Sequence, residues 1–227
     1  INAAVTALPN LQVLSLADNG RIGGGGGFAM LAAALPPTLT HLDLSGTGLG
    51  DAGATALADG ALLAAATRCA LRKLYLDRNG IGDDGCAALA RAAGGGEGGD
   101  ASLPNLIEFW LSNNALGDAG GVAIFEALAH GAMPAVGDLR LQYNRLGDTA
   151  LVALAAALEC GALGSCWYLG LGDNAELTDN GLGVLLEGVA GAGWLPRLEF
   201  VTVKGPACSI GAAQRVQDAL TQRRSSR

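Results

Sequence analysis

Aromatic and charged residues are scarce in this chain, and it has no uninterrupted apolar run long enough to span a membrane. Of its 227 residues, 4% are aromatic and 15% are charged, whereas 50% are hydrophobic. This apolar content excludes a disordered chain. The longest uncharged stretch, residues 22–40, contains five consecutive glycines and a proline pair. Such a stretch cannot form a continuous membrane-spanning helix, so we expect no membrane partner.

Basic residues are few outside the end of the sequence. There are 14 lysines and arginines against 21 aspartates and glutamates, and three of the arginines stand in the final TQRRSSR. The rest of the chain has eleven basic and 21 acidic residues, a net charge of −10. Because nucleic-acid binding depends on Lys and Arg neutralising phosphates, this balance argues against a nucleic-acid partner.

The cysteines and histidines do not show the spacing expected of a disulfide framework, a metal site or a catalytic site. The five cysteines show no C-x-x-C spacing and accompany only two histidines, which predicts buried thiols in a reducing, cytoplasmic environment and no metal site. His41, Asp43 and Ser45 alternate on one predicted strand, but a hydrolytic triad needs the imidazole in the centre, where this chain has the carboxylate. We therefore predict that the protein is not an enzyme and needs no cofactor. The cysteines are Cys69, Cys86, Cys160, Cys166 and Cys208.

One pattern, L-x-x-L-x-L-x-x-N-x-L, recurs along the whole chain in seven copies spaced 28 to 35 residues apart. Its L-x-L core alternates as a short strand with one buried face does, and an Ala/Leu run with helical spacing follows. Such units bury their apolar faces only against their neighbours, so the repeats predict a one-dimensional stack. The copies begin at Leu11, Leu39, Leu71, Leu106, Val136, Cys166 and Leu198.

An aspartate precedes each helix-like run, in segments such as LGDAGATALA and IGDDGCAALA. We interpret these aspartates as N-caps whose carboxylates accept backbone N–H groups at the start of their own helices. They are Asp51, Asp83, Asp118, Asp148 and Asp179.

From Leu11 onward the chain repeats the motif L-x-x-L-x-L-x-x-N-x-L-G-D-x-G. On this motif the chain resembles leucine-rich repeat proteins of the ribonuclease-inhibitor-like subtype. The resemblance implies an α/β leucine-rich repeat solenoid, a horseshoe of about seven repeats with a parallel β-sheet on the concave face and α-helices on the convex face. It also implies a ladder of asparagines whose amides satisfy backbone groups of the turns. The ladder would comprise Asn19, Asn79, Asn114, Asn144 and Asn174, with Thr47 and Pro206 replacing asparagine in the second and seventh units.

The repeats predict a single domain over residues 1–227. Residues 1–10 resemble the tail of an upstream repeat, so we expect a fragment of a longer protein, and residues 205–227 form a C-terminal repeat or cap. The glycine-rich segments 23–27 and 94–100 predict flexible loops at helix ends. No Lys followed by Ser or Thr comes after the first segment, so it is not a phosphate-binding loop.

Strand geometry places the third, fifth and seventh residues of each copy on the concave face, with the second and eighth at its rims. All three tyrosines and two of the three tryptophans occupy these places, and only Trp194 does not. Because parallel strands lie about 4.8 Å apart, Tyr75, Trp110 and Arg140 should form a row. Trp, Tyr and Arg dominate interface hot spots, so we predict a partner-binding patch. Its residues are Lys73, Tyr75, Arg78, Glu108, Trp110, Asp138, Arg140, Tyr143, Trp167 and Tyr168.

A second interpretation of the same residues is that they stack across strands, Trp110 on Arg140 by cation–π attraction and Lys73 on Glu108 by charge. Binding and stacking can hold together. Glu108 beside Asp138 is a like-charge pair that costs stability unless Arg140 or a cationic group of a partner lies nearby.

For the whole chain we predict a scaffold, adaptor or sensor region that binds a protein partner on its concave sheet. Similar L-G-D-x-G repeats occur in the activator of the Ran GTPase. The resemblance therefore leaves a GTPase-activating regulator as the alternative.

Overall fold

A computed structural model describes residues 5, 7–20, 22, 26–62, 70–94, 103–187 and 195–225. Within these ranges seven strands alternate with seven helices, and a π-helical turn, Ala58–Leu62, follows the second helix. The strands are β1 Val13–Ser15, β2 His41–Asp43, β3 Lys73–Tyr75, β4 Glu108–Trp110, β5 Asp138–Arg140, β6 Tyr168–Gly170 and β7 Phe200–Thr202. The helices are α1 Gly27–Ala34, α2 Gly50–Leu57, α3 Asp83–Ala93, α4 Asp118–Ala129, α5 Asp148–Glu159, α6 Asp179–Glu187 and α7 Ile210–Ser225.

The strands form one parallel sheet in the order β1 to β7, so each strand pairs with the strands of the repeats before and after it. The register joins equivalent repeat positions: Leu42 lies opposite Leu74, and Leu74 lies opposite Phe109. This arrangement confirms the predicted solenoid of a parallel sheet and helices.

The core lies between the sheet and the helices and is built from the leucines of the pattern. Leu71, Leu74 and Leu76 are at most 1% exposed, and each buried leucine contributes about 1.5–3 kcal/mol. In the first repeat the equivalent Leu11 and Leu14 are only partly buried, because no described strand pairs with the outer edge of β1. The predictions that residues 1–10 end an upstream repeat and that residues 205–227 cap the domain stay predictions.

The asparagines join consecutive turns, as the resemblance implies. The Oδ1 atom of Asn144 accepts a hydrogen bond from the Leu116 N–H at 3.1 Å, and its Nδ2 donates to the Leu111 and Leu141 carbonyls at 2.9 and 3.1 Å. Each such amide satisfies backbone groups of its own repeat and of the preceding one, which a buried turn requires. Asn19 is exposed, and among the described residues its side-chain amide donates only to the Leu16 and Ala17 carbonyls of its own turn.

The aspartates before the helices do not cap their own helices. The prediction therefore named the wrong hydrogen-bond partners for their carboxylates. The N-cap residue of each of the helices α3, α4 and α5 is a glycine, which has no side chain that could accept a capping hydrogen bond. Each carboxylate instead reaches forward to the next repeat. Asp83 Oδ1 accepts N–H bonds from Gly117 and Gly120 at 2.7 and 2.9 Å, and so satisfies the N-terminus of α4. We call this contact the inter-repeat latch.

The latch also explains the glycine that follows the aspartate in L-G-D-x-G. A Cβ atom added to Gly120 would lie 2.7 Å from Asp83 Oδ1, which is closer than carbon and oxygen tolerate without movement. In the next repeat Ala150 takes this place, and its N–H still bonds to Asp118 at 2.9 Å. The position therefore requires a small residue because a carboxylate from the preceding repeat lies against it.

Several features singled out in the sequence lie outside the described residues: Cys69, Trp194 and the glycine-rich segments 23–25 and 95–100. The other four cysteines are free thiols. Cys86 and Cys166 are buried as predicted, whereas Cys160 is exposed and Cys208 is half-buried, so the prediction of buried thiols was wrong for these two. No described helix has the length and apolar character needed to cross a bilayer.

Candidate partner-binding face

Strand register places the predicted patch on one side of the sheet. Tyr75 lies opposite Trp110, and Trp110 lies opposite Arg140. In β3 and β4 the middle residue is buried, whereas the residues on either side are half-buried on the concave face. The alternation arises because successive side chains of a strand point to opposite faces.

The side chains in this row stack on one another. The Tyr75 and Trp110 rings lie 3.9 Å apart at 18°. The Arg140 Cζ atom lies 3.9 Å from the Trp110 ring centre on one side and 4.9 Å from that of Tyr168 on the other. We call Tyr75, Trp110, Arg140 and Tyr168 the aromatic row. Stacked rings and cation–π contacts each contribute about 0.5–1.5 kcal/mol, which fixes the row before any partner arrives.

Glu108 links two members of the patch. Lys73 Nζ lies 2.7 Å from Glu108 Oε1, and the Tyr75 hydroxyl donates a hydrogen bond to Glu108 Oε2. Burial works to raise the pKa of Glu108, but the hydrogen bonds from Lys73 and Tyr75 hold that pKa below its usual range. Burial, the hydrogen bond to Glu108 and the neighbouring carboxylates raise the pKa of the Tyr75 hydroxyl, so it stays protonated. Glu108 is thus ionised and fully engaged within the chain.

Asp138 forms an ion pair with Arg140 of the aromatic row. Its carboxylate accepts bonds from Arg140 Nε at 2.9 Å and from Arg140 Nη2 at 2.9 Å. The sequence predicts Asp138 as a contact residue, but the folded chain leaves it 1% exposed. A partner therefore cannot reach it, because Arg140 and the sheet cover it. The pairing also offsets the predicted repulsion between Asp138 and Glu108.

The remaining predicted residues lie at the rims. Arg78 forms an exposed ion pair with Asp18 at 3.0 Å. Tyr143 is 55% exposed, and its backbone is left-handed with φ of 57°. Trp167 is 37% exposed and meets Tyr168 edge to face with ring centres 6.1 Å apart. Both aromatic side chains extend the apolar surface beside the row.

Comparison with models of protein families agrees with this architecture. A family model described as a leucine-rich repeat matches residues 7–31, 36–58, 69–90, 102–125 and 138–155. The chain is built of leucine-rich repeats. It is similar to a chain in a crystal structure of the Rad7 and Elc1 complex in yeast, at 16% identity and a TM-score of 0.31. The match covers 82% of this chain and 60% of that one, so this chain spans less than two thirds of the length of its structural neighbour. No curated protein matches its sequence.

The predicted patch leaves out four residues that the same repeat positions place on the leucine-rich repeat face: Asp43, Asp77, Gln142 and Phe200. Gln142 Nε2 donates to the Tyr168 hydroxyl at 2.9 Å. Phe200 is 55% exposed, with its ring centre 6.5 Å from that of Tyr168. Asp77 and Gln142 occupy the seventh place of their repeats, so reading that column as closely as the fifth would have found them.

The strand that carries His41, Asp43 and Ser45 lacks the geometry of a triad. His41 Nδ1 lies 2.7 Å from the Thr40 hydroxyl, and Asp43 Oδ1 accepts a hydrogen bond from the Ser45 backbone N–H at 3.0 Å. Among the described residues, no group of three His, Cys, Asp or Glu side chains could hold a metal ion.

A cavity of about 570 Å³ lies at the far end of the repeat stack, between β7 and α7. Val203, Cys208 and Ile210 are among the residues that line it. No residue of the aromatic row lines this cavity.

Proposed function

We propose that this leucine-rich repeat chain is a non-catalytic interaction module that holds a protein partner on its concave face, centred on the aromatic row. The observation that carries the proposal is the concentration of half-buried Tyr, Trp and Arg side chains on one face of the sheet. These residue types contribute most to binding because they bury a large area and keep a polar end.

Packing alone does not explain why the residue at position 110 is a tryptophan. Its indole N–H is buried and has no hydrogen-bond acceptor among the described residues, which costs about 1–3 kcal/mol. A leucine or phenylalanine would fill this place in the row without that cost. A tryptophan here is better explained by the surface that it offers to a partner.

The proposal is tested by capturing partners from cell extract on the wild-type chain and on two variants, followed by affinity measurement with the recovered partner. Trp110→Ala should weaken binding by about 2 kcal/mol, or about thirtyfold. Val152→Ala removes a side chain that is 56% exposed on helix α5 and serves as the control. The proposal fails if both variants bind the partner as the wild type does.

The repeat subtype, the cellular location and the role as a scaffold or adaptor are also proposals. The repeat spacing of 28 to 35 residues with a helix in each unit supports the ribonuclease-inhibitor-like subtype, and the free thiols support a cytoplasmic scaffold or adaptor. A GTPase-activating regulator would instead accelerate GTP hydrolysis by a small GTPase. Binding without acceleration favours the interaction module.

A further inference from the structure

The aromatic row has one uncovered face. Trp110 on β4 covers one side of the Tyr75 ring, so the opposite side of the ring faces toward β2. In the described part of the chain, no Phe, Tyr or Trp ring and no cation stacks on that second side. The residue opposite Tyr75 on β2 is Asp43, whose charge is among the causes that raise the pKa of Tyr75, after burial and the contacts with Glu108.

A second carboxylate, Asp77, lies two residues beyond Tyr75 on the same side of the sheet. Its Oδ1 atom accepts one hydrogen bond, from the Ser112 N–H at 2.7 Å. Burial raises the pKa of Asp77, although Ser112 and Arg140 oppose this effect. Neither Asp43 nor Asp77 forms an ion pair with any described residue.

The neighbouring strands show how this face holds a guanidinium group. The Arg140 Cζ atom lies 3.9 Å from the centre of the Trp110 ring, and the carboxylate of Asp138 accepts hydrogen bonds from the Nε and Nη2 atoms of Arg140. The second side of Tyr75 has the same two elements, an aromatic ring and a carboxylate, but no cation from the described residues stacks on it.

The charge balance of this face favours a cation. The concave places of β2 to β5 carry four carboxylates and two basic side chains, and both basic side chains are committed to ion pairs inside the chain. An arginine suits the place better than a lysine because its planar group can stack on the ring and bond two carboxylate oxygens at once. The carboxylates are Asp43, Asp77, Glu108 and Asp138, and the basic residues are Lys73 and Arg140.

We propose that the uncovered side of Tyr75, together with Asp43 and Asp77, binds an arginine side chain from an extended basic segment of the partner protein. This inference rests on the proposed function, since it specifies the chemistry of a partner that docks on the same face. The guanidinium group would extend the aromatic row by one layer and neutralise the two carboxylates that form no ion pair with the described residues.

The test uses a fluorescein-labelled peptide of about ten residues, alternating arginine and glycine, as the probe. Its binding to the purified chain is measured by fluorescence anisotropy. Asp43→Asn and Asp77→Asn remove the charge and keep one oxygen atom that accepts the Ser45 or Ser112 N–H group. In Asp43→Asn the new amide NH2 group can donate to the Ser15 hydroxyl, which in the wild type donates to Asp43 Oδ2 at 3.2 Å. Each should weaken binding by about tenfold, the size expected for a charge-assisted hydrogen bond.

Two controls separate a site from general attraction between charges. Asp84→Asn removes an exposed carboxylate from helix α3 and should change the affinity by less than about twofold. A peptide with citrulline in place of arginine keeps the shape without the charge and should bind about tenfold more weakly. The inference is overturned if the wild-type chain does not bind the arginine peptide, or if Asp84→Asn weakens binding as much as Asp43→Asn does.

The same variants distinguish failure of this inference from failure of the proposed function. If Trp110→Ala loses a captured partner while Asp43→Asn and Asp77→Asn retain it, the interaction module stands and the arginine site is wrong. If Trp110→Ala and Val152→Ala bind that partner as the wild type does, the proposed function fails whatever the peptide shows.

Discussion

Two adjacent aspartates at the start of helix α3 allow the inter-repeat latch to be measured. Asp83 accepts the N–H groups of Gly117 and Gly120 in the next repeat, at 2.7 and 2.9 Å. The Asp84 side chain is exposed, and its carboxylate forms no hydrogen bond with the described residues. Asp83→Ala should therefore destabilise the chain much more than Asp84→Ala, although both substitutions remove one negative charge from the same helical turn.

The magnitude follows from the bonds that are lost. A hydrogen bond to a charged group contributes about 1.5–3 kcal/mol, and replacing a capping residue by alanine costs about 0.5–2 kcal/mol. The two bonds share one carboxylate oxygen and do not add fully, so we expect Asp83→Ala to lower the free energy of unfolding by about 2 kcal/mol. Alanine's helix propensity and the lost attraction to the α3 dipole affect both variants similarly and cancel in the comparison.

Urea unfolding gives the two free energies, and amide hydrogen exchange shows where the change occurs. In Asp83→Ala the amides of Gly117 and Gly120 should exchange faster than in the wild type, whereas in Asp84→Ala they should not. Equal stability of the two variants would refute the latch and restore the interpretation that these aspartates act on their own helix.

Two further predictions concern the binding face. Glu108 has a pKa below that of an unfolded chain, so its stabilising contribution is present above about pH 4.3 and is lost as the pH falls through the lower folded value. Glu108→Gln should therefore lose less stability than the wild type between about pH 6 and pH 3, and equal losses would contradict this assignment. Tyr143 is left-handed at a repeat position that Asn113 and Asp173 also occupy with φ of 57°. Tyr143→Asn should be more stable than Tyr143→Ala by about 0.5–1 kcal/mol in thermal unfolding, because asparagine tolerates this conformation, and equal stability would exclude backbone strain at this rim.

The sequence predicted the strands and their register because the repeat itself encodes them. Each copy aligns its leucines with those of the next, so the row of Tyr75, Trp110 and Arg140 follows from counting positions within the pattern. The latch could not be found in this way. A carboxylate before a helix is the usual signature of a cap, and only the stacking distance between repeats decides that Asp83 reaches α4 instead of α3.

The burial of Asp138 also escaped prediction, for a related physical reason. Counting along a strand tells which face a side chain occupies but not which neighbour covers it. Arg140 folds back over Asp138 because a guanidinium can bond the carboxylate two residues away while it stacks on Trp110. Unlike register, side-chain packing within one face depends on the length and direction of each side chain.

In each repeat, the residues that stabilise the fold differ from those that form the concave face. This face can therefore be preorganised without loss of stability. Leucines, asparagines and latching aspartates hold the repeats together, whereas the third, fifth and seventh residues contribute little to the core. Asp138 is buried at one of these positions and fixes Arg140 between Trp110 and Tyr168. A partner that meets Arg140 need not order it, and this lowers the entropy lost on binding. We therefore propose that Asp138 acts on recognition as a positioning residue that no partner touches.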